Sequence, residues 1–183
     1  YVNVSDGVGV GLVVGGELVR GHGYTAGEFG HVPIDPRGPT CLCGSVGCWE
    51  IFTSNLATLS RYLGTEPSAE ESRRLLRSSE VTIADVIARA RTGDERARHA
   101  LEETGTYLAL GLSIIVNALN PARIIVGGEI TGAWDLIRER VSDAVRARAL
   151  TEAAAGTLVV AEQMSEHPRL RGAVALIAAP VFA

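Results

Sequence analysis

Ala26-Gly27-Glu28-Phe29-Gly30-His31 is followed, ten residues after its histidine, by Cys41-Leu42-Cys43-Gly44-Ser45-Val46-Gly47-Cys48-Trp49-Glu50. Three cysteines fall within eight residues, and together with His31 they spell H-x9-C-x-C-x4-C. The 32–47 segment between histidine and last cysteine holds three prolines and three glycines, so it is an irregular loop with little apolar material to order it. An odd cysteine count argues against a disulfide framework. Buried free thiols are the plain alternative. Zinc favours four nitrogen or sulfur donors in a tetrahedron, and a Cys3His set is one of its closed structural forms. The spacing therefore predicts a structural zinc ion held by His31, Cys41, Cys43 and Cys48, contributing on the order of 10 kcal/mol to ordering this loop.

Two carboxylates flank that cluster. Glu28 precedes His31 by three residues and Glu50 follows Cys48 by two. Carboxylates accept strong hydrogen bonds from neighbouring hydroxyls, so a pair drawn together by a metal suits a sugar. A histidine that ligates through one ring nitrogen can offer the other to a partner. Both glutamates also suit a solvated loop, and spacing alone leaves the two readings open. Trp49 likewise suits either a sugar face or the core.

Outward from this stretch, the N-terminal part reads as β-structure. Tyr1 to Ser5 alternates apolar and polar residues, and Gly15-Gly16 between Gly11-Leu12-Val13-Val14 and Glu17-Leu18-Val19-Arg20 predicts a hairpin. A glycine-rich loop runs from Gly21 to Gly30. Gly7, Gly9 and Gly11 alternate as if on one face of a strand approached closely by another group. A helix is expected from near Cys48 through Asn55 to Leu63, broken over Thr65 to Ser68. Thr82 caps a helix reaching Arg91, and Asp94 caps another that stops at Asn120-Pro121. Arg123 to Val126 reads as a buried parallel strand ending in the Gly127-Gly128 turn. A helix from about Ala133 to Leu150, a strand from Thr157 to Ala161 and an apolar helix from about Gly172 complete an alternating β/α pattern. His167-Pro168 reads as a turn, and His22, His99 and His167 carry no expected role.

The 183 residues, 46% hydrophobic and 21% charged, fit one compact domain, and the net charge of −4 offers no basic footprint for nucleic acid or an anionic membrane. All 17 basic residues are arginine, which excludes a lysine-based phosphate loop. Apolar runs such as Leu108 to Leu119 are too short and interrupted for a membrane span. Without a signal-peptide pattern the expected compartment is the cytoplasm, and the start at Tyr1 suggests an excised domain.

Gly7-x-Gly9-x-Gly11, the Gly27 to His31 run, Cys41-x-Cys43-Gly44-x-x-Gly47-Cys48-x-Glu50, Asn120-Pro121 and Gly127-Gly128 resemble the ROK family of bacterial sugar kinases and sugar-responsive repressors. The resemblance implies an actin-like, ribonuclease-H-like α/β fold. Residues 1–183 would be its large C-terminal sugar-binding and oligomerisation domain, forming dimers or tetramers. It implies sugar contacts from Glu28, His31 and Glu50 and zinc on His31 and the three cysteines. By the same resemblance the catalytic aspartate would lie in an N-terminal domain preceding Tyr1, and the repressors' DNA-binding module further upstream, so this segment alone is expected neither to phosphorylate sugar nor to bind an operator.

Asp6 bears on the choice between branches. The family kinases usually carry Gly-Thr-Gly facing ATP phosphates, whereas here the loop reads Ser5-Asp6-Gly7, similar to the repressors. A carboxylate repels polyphosphate. With Glu129 after Gly127-Gly128, where kinases extend the glycine run, this reads as eroded ATP binding. The expectation is a sugar-sensing regulator domain, with an ATP-dependent hexose or N-acetylhexosamine kinase as the alternative.

Overall fold

The computed structural model describes residues 1–162. Strands β1 (Val2–Val4) and β2 (Val8–Val10) pair antiparallel, and β3 (Val13–Val14) with β4 (Glu17–Leu18) forms a separate hairpin. Both turn glycines of that hairpin take positive φ, 61° at Gly15 and 88° at Gly16, as the sequence predicts for a tight two-residue turn. Helices α1 (Trp49–Thr53), α2 (Asn55–Leu63), α3 (Ala69–Ser78), α4 (Ile83–Arg91) and α5 (Glu95–Leu119) follow. Then come β5 (Arg123–Gly127), α6 (Trp134–Arg148), α7 (Glu152–Ala155) and β6 (Leu158–Ala161). The sheet order is β2-β1-β5-β6, with β1, β5 and β6 parallel. The helix expected from Gly172 and the turn at His167-Pro168 lie outside the described residues.

Burial explains the layering. Val2 and Val4 of β1 and Ile124 and Val126 of β5 point into the core, while Arg123 and Ile125 face away. The crossovers through α5 and α6 both advance across the sheet in the same direction, and these two helices pack against each other over the buried face. Leu101, Leu108, Leu112 and Val116 of α5 and Ile137 and Val141 of α6 are fully buried there.

The caps are set locally. The Thr82 hydroxyl accepts from the Asp85 amide and the Asp85 carboxylate accepts from the Thr82 amide, a complete capping box. Asp94 accepts from the amides of Arg96 and Ala97, and α5 ends at Asn120 in a left-handed conformation before Pro121.

Two expectations need correction, and one helix goes unread in the sequence. The helix expected from Cys48 to Leu63 is two helices, because Ser54 turns extended (φ −62°, ψ 166°) and its hydroxyl caps α2 at Ala57. Helix α3, which the Thr65 to Ser68 break hides, starts directly after it, with Ser68 accepting from the Glu71 amide. Nor do Gly7, Gly9 and Gly11 share a strand, since only Gly9 lies within β2. The strand spans only Val8–Val10, and a Cβ at Gly9 or Gly11 would meet nothing within 4 Å. Only Gly7 is crowded, because a Cβ there would stand 2.7 Å from Glu50 Oε2.

Candidate metal centre and the surrounding site

His31 ends a short 3-10 turn, Phe29–His31, whose place is fixed by glycines. A Cβ at Gly27 or Gly30 would overlap the carbonyl oxygens of Val10 or Val8, so the turn lies directly on β2. The cysteines come from a knuckle in which the Cys41 amide donates to Ser45 O (2.8 Å) and the Gly44 amide to Cys41 O (3.0 Å). Cys48 stands at the N-terminal boundary of α1. Isolated bridges pair Pro33 with Cys48 and Thr40 with Val46, and the remainder of the loop is irregular, as its prolines and glycines predict.

These elements bring the donors together. The ligand atoms of His31, Cys41, Cys43 and Cys48 all lie within 4.8 Å of one another. Cys43 Sγ is 3.6 Å from Cys48 Sγ, and His31 Nδ1 is 3.9 Å from Cys41 Sγ. A tetrahedral zinc ion with bonds of about 2.3 Å to sulfur and about 2.1 Å to nitrogen needs donors roughly 3.6–3.8 Å apart. The donor set suits such an ion, and the two closest separations approach the spacing it needs. Burial pushes the Cys48 thiol up to about 12 and raises Cys41, whereas the Ser45 backbone amide draws Cys43 down to about 7. A divalent cation at the centre would hold all three as thiolates.

The two carboxylates take up different relations to the cluster. Glu28, largely exposed, places Oε2 3.8 Å from His31 Nε2, the ring nitrogen facing away from Cys41. Glu50 has Oε1 3.8 Å from Cys41 Sγ, while its Oε2 accepts from the Val8 amide at 2.9 Å. Glu50 therefore ties the cysteine loop to the turn containing Asp6 and Gly7. Trp49 is buried, and its indole N–H donates to Tyr107 O of α5 at 2.8 Å. It packs in the core and presents no face to a sugar.

On the other side of that turn, Asp6 is exposed. Gly127 ends β5, and Gly128 takes φ 91°, where a Cβ would overlap the Val4 carbonyl, so β1 itself makes the close approach to this dipeptide. The Gly128 amide donates to Glu162 Oε1 at 3.2 Å. Asn55, which carries no motif, joins the two turns. Its amide donates to Ser5 O (2.7 Å) and its Nδ2 to Glu129 Oε2 (3.1 Å). Arg61 is a second residue that sequence reading misses. It is buried in α2, where desolvation lowers its pKa, and it donates to Phe52 O (2.7 Å) and Thr104 Oγ1 (2.9 Å) beside Glu103. Arginine on a polar helix face looks solvated in sequence, and only the packing of α1 and α5 encloses it. Exposed His99 lines a cavity of about 430 Å³ with Arg61, Phe52 and Tyr107. Among the described residues no helix is long and apolar enough to cross a membrane.

Comparison with known proteins assigns the chain. The model of the ROK family matches residues 1–179. The DNA-binding transcriptional dual regulator NagC of Escherichia coli K12 is 31% identical over 176 residues, covering 96% of this chain. The chain spans 43% of that relative's length. A crystal structure of a ROK family transcriptional regulator, a homologue of the E. coli MLC protein, is 29% identical. It covers 90% of this chain and 42% of its own, with a TM-score of 0.73. A ROK family glucokinase from Streptomyces griseus, solved with glucose and AMPPNP, is 28% identical. It covers 89% of this chain and 55% of its own, with a TM-score of 0.74. The chain belongs to the ROK family, whose members have the actin-like ATPase fold.

Proposed function

We propose that this chain is the sugar-sensing and oligomerisation domain of a ROK-type transcriptional regulator, with one structural zinc ion held by His31, Cys41, Cys43 and Cys48. The observation that carries the regulator reading is the 31% identity to NagC over 96% of the chain. Likeness of fold is neutral here, because the regulator and the glucokinase superimpose equally well. Sugar hydroxyls donate to Glu28 and Glu50 and meet His31, whose ring is held by the metal. Binding favours one arrangement of this domain against the rest of the protein, and that preference alters DNA binding by an upstream module. The protein works in the cytoplasm as a dimer or tetramer assembled through this domain.

Asp6 supports the absence of ATP chemistry. An exposed carboxylate at the tip of the β1–β2 turn disfavours polyphosphate, and Glu129 adds a second negative charge across the Asn55 bridge. The likeness to the glucokinase supports the second reading, an ATP-dependent hexose or N-acetylhexosamine kinase in which Gly7, Gly9, Gly11, Gly127 and Gly128 line the nucleotide side.

The test is calorimetry on the full-length protein with N-acetylglucosamine and glucose, alongside operator binding with and without the sugar. Glu50→Gln removes the charge while keeping the shape. It is expected to weaken sugar binding by about 1.5–3 kcal/mol, the magnitude of a hydrogen bond to a charged group, and to shift the sugar dependence of operator binding by the same factor. Sugar-dependent ATP turnover would replace the regulator reading with the kinase. No heat with any sugar would leave a zinc-stabilised assembly domain.

A further inference from the structure

We infer that Trp49 is the positioning residue that seats the metal loop on α5 and thereby sets the geometry of both the metal centre and Glu50. The inference rests on the zinc and sugar reading above. Trp49 stands between Cys48, a donor of the cluster, and Glu50, whose carboxylate reaches Val8. Successive side chains at the start of a helix diverge by about 100°, so fixing the middle one fixes the directions of the other two.

The anchor is specific. The Trp49 indole is buried against α5 at Gly111, where any Cβ would overlap the Cε2, Cδ2 and Nε1 atoms of the ring. Gly111 therefore leaves a slot of indole shape in an otherwise continuous helix. One turn earlier, Tyr107 O accepts the indole N–H. Tyr107 also grips α1 itself, since its ring stacks on Phe52 with centroids 4.8 Å apart and an interplanar angle of 18°. The Trp49 amide completes the seat by donating to Val32 O at 2.9 Å, which places the residue after His31 beside the start of α1. A helix without side chain at one position, a donor with a single acceptor and a backbone bond to the residue after the His31 turn thus converge on one residue between a metal donor and a candidate sugar contact.

The consequence is that disturbing Trp49 weakens metal and sugar binding together, beyond what its share of core packing accounts for. Trp49→Phe keeps an aromatic ring and deletes the N–H donor, and Gly111→Ala closes the slot from the α5 side. Leu101→Ala, in the buried part of α5, is the control for destabilisation alone. Each variant of the full-length protein is titrated with Co²⁺, read by thiolate-to-cobalt absorption, and with N-acetylglucosamine, read by calorimetry. Helix content is followed by circular dichroism. Both Trp49→Phe and Gly111→Ala are expected to weaken Co²⁺ binding at least about tenfold, the lower end of effects seen when a ligand's supporting shell is altered, and to weaken sugar binding in parallel. Leu101→Ala is expected to lower Tm with both affinities unchanged. If the two slot variants merely lower Tm as Leu101→Ala does, with Co²⁺ and sugar bound as in the unaltered protein, the inference is overturned while the metal and sugar reading stands. If the unaltered protein shows no thiolate-to-cobalt band, the metal reading itself fails, and the role given to Trp49 falls with it.

Discussion

The cysteine loop that forms the candidate metal centre and the α5–α6 layer are held together by different physics. Between His31 and Cys48 the chain contributes few apolar side chains, and Leu42 and Val46 are exposed at the knuckle. Order there comes from turns, two isolated bridges and four converging donor atoms. In the α5–α6 layer, by contrast, Leu101, Leu108, Leu112, Ile137 and Val141 are fully buried against the sheet, and burial alone suffices. A segment ordered by a few strong, directional bonds fails all at once when one donor is lost. A segment ordered by many weak contacts loses stability in increments.

Removing the metal should separate the two regions most sharply. Chelation, or Cys48→Ser, is expected to forfeit binding free energy on the order of 10 kcal/mol and to raise amide exchange across residues 31–50, while α5 and α6 remain protected. Equal loss of protection in both regions, read by hydrogen exchange, would abolish the distinction. An intermediate effect belongs to the core. Leu101→Ala should cost about 2–5 kcal/mol of global stability without changing the metal stoichiometry, as denaturant unfolding and metal analysis would report. A metal content that fell with Leu101 would mean that the loop has no order independent of the helices.

The smallest effect concerns acid. Glu71 of α3 accepts two bonds from Arg74 and one from Thr65, which hold its carboxyl down at about 2 against an ordinary 4.5. A carboxyl depressed in the folded state contributes its stability above the ordinary value and loses it as pH falls toward the folded value. Glu71→Gln should therefore flatten the pH dependence of stability between about 4.5 and 2, measured by thermal melts. It should leave melts near neutral pH lower than those of the unaltered protein by a small margin. An unchanged acid slope would show that the Arg74 pair is too exposed to matter.

Sequence alone determined the features whose cause is local. The Gly15-Gly16 hairpin, the Thr82 and Asp94 caps, the Asn120-Pro121 stop and the β5 strand all follow from residues within a few positions of one another, where backbone preference and nearby hydrogen bonds decide. The donor set was legible for a related reason, since a metal demands particular atom types and these sit close together in the chain. Tertiary structure decided what depends on a neighbour remote in sequence. The chain alone does not say that Gly7 is crowded by Glu50, that Asn55 bridges Ser5 and Glu129, or that Arg61 is enclosed by α1 and α5. Nor does it say that Gly111 is the slot for Trp49. Each of these is a contact between surfaces 40 or more positions apart, or between helices whose packing fixes the direction of a side chain. No periodicity or spacing encodes such directions.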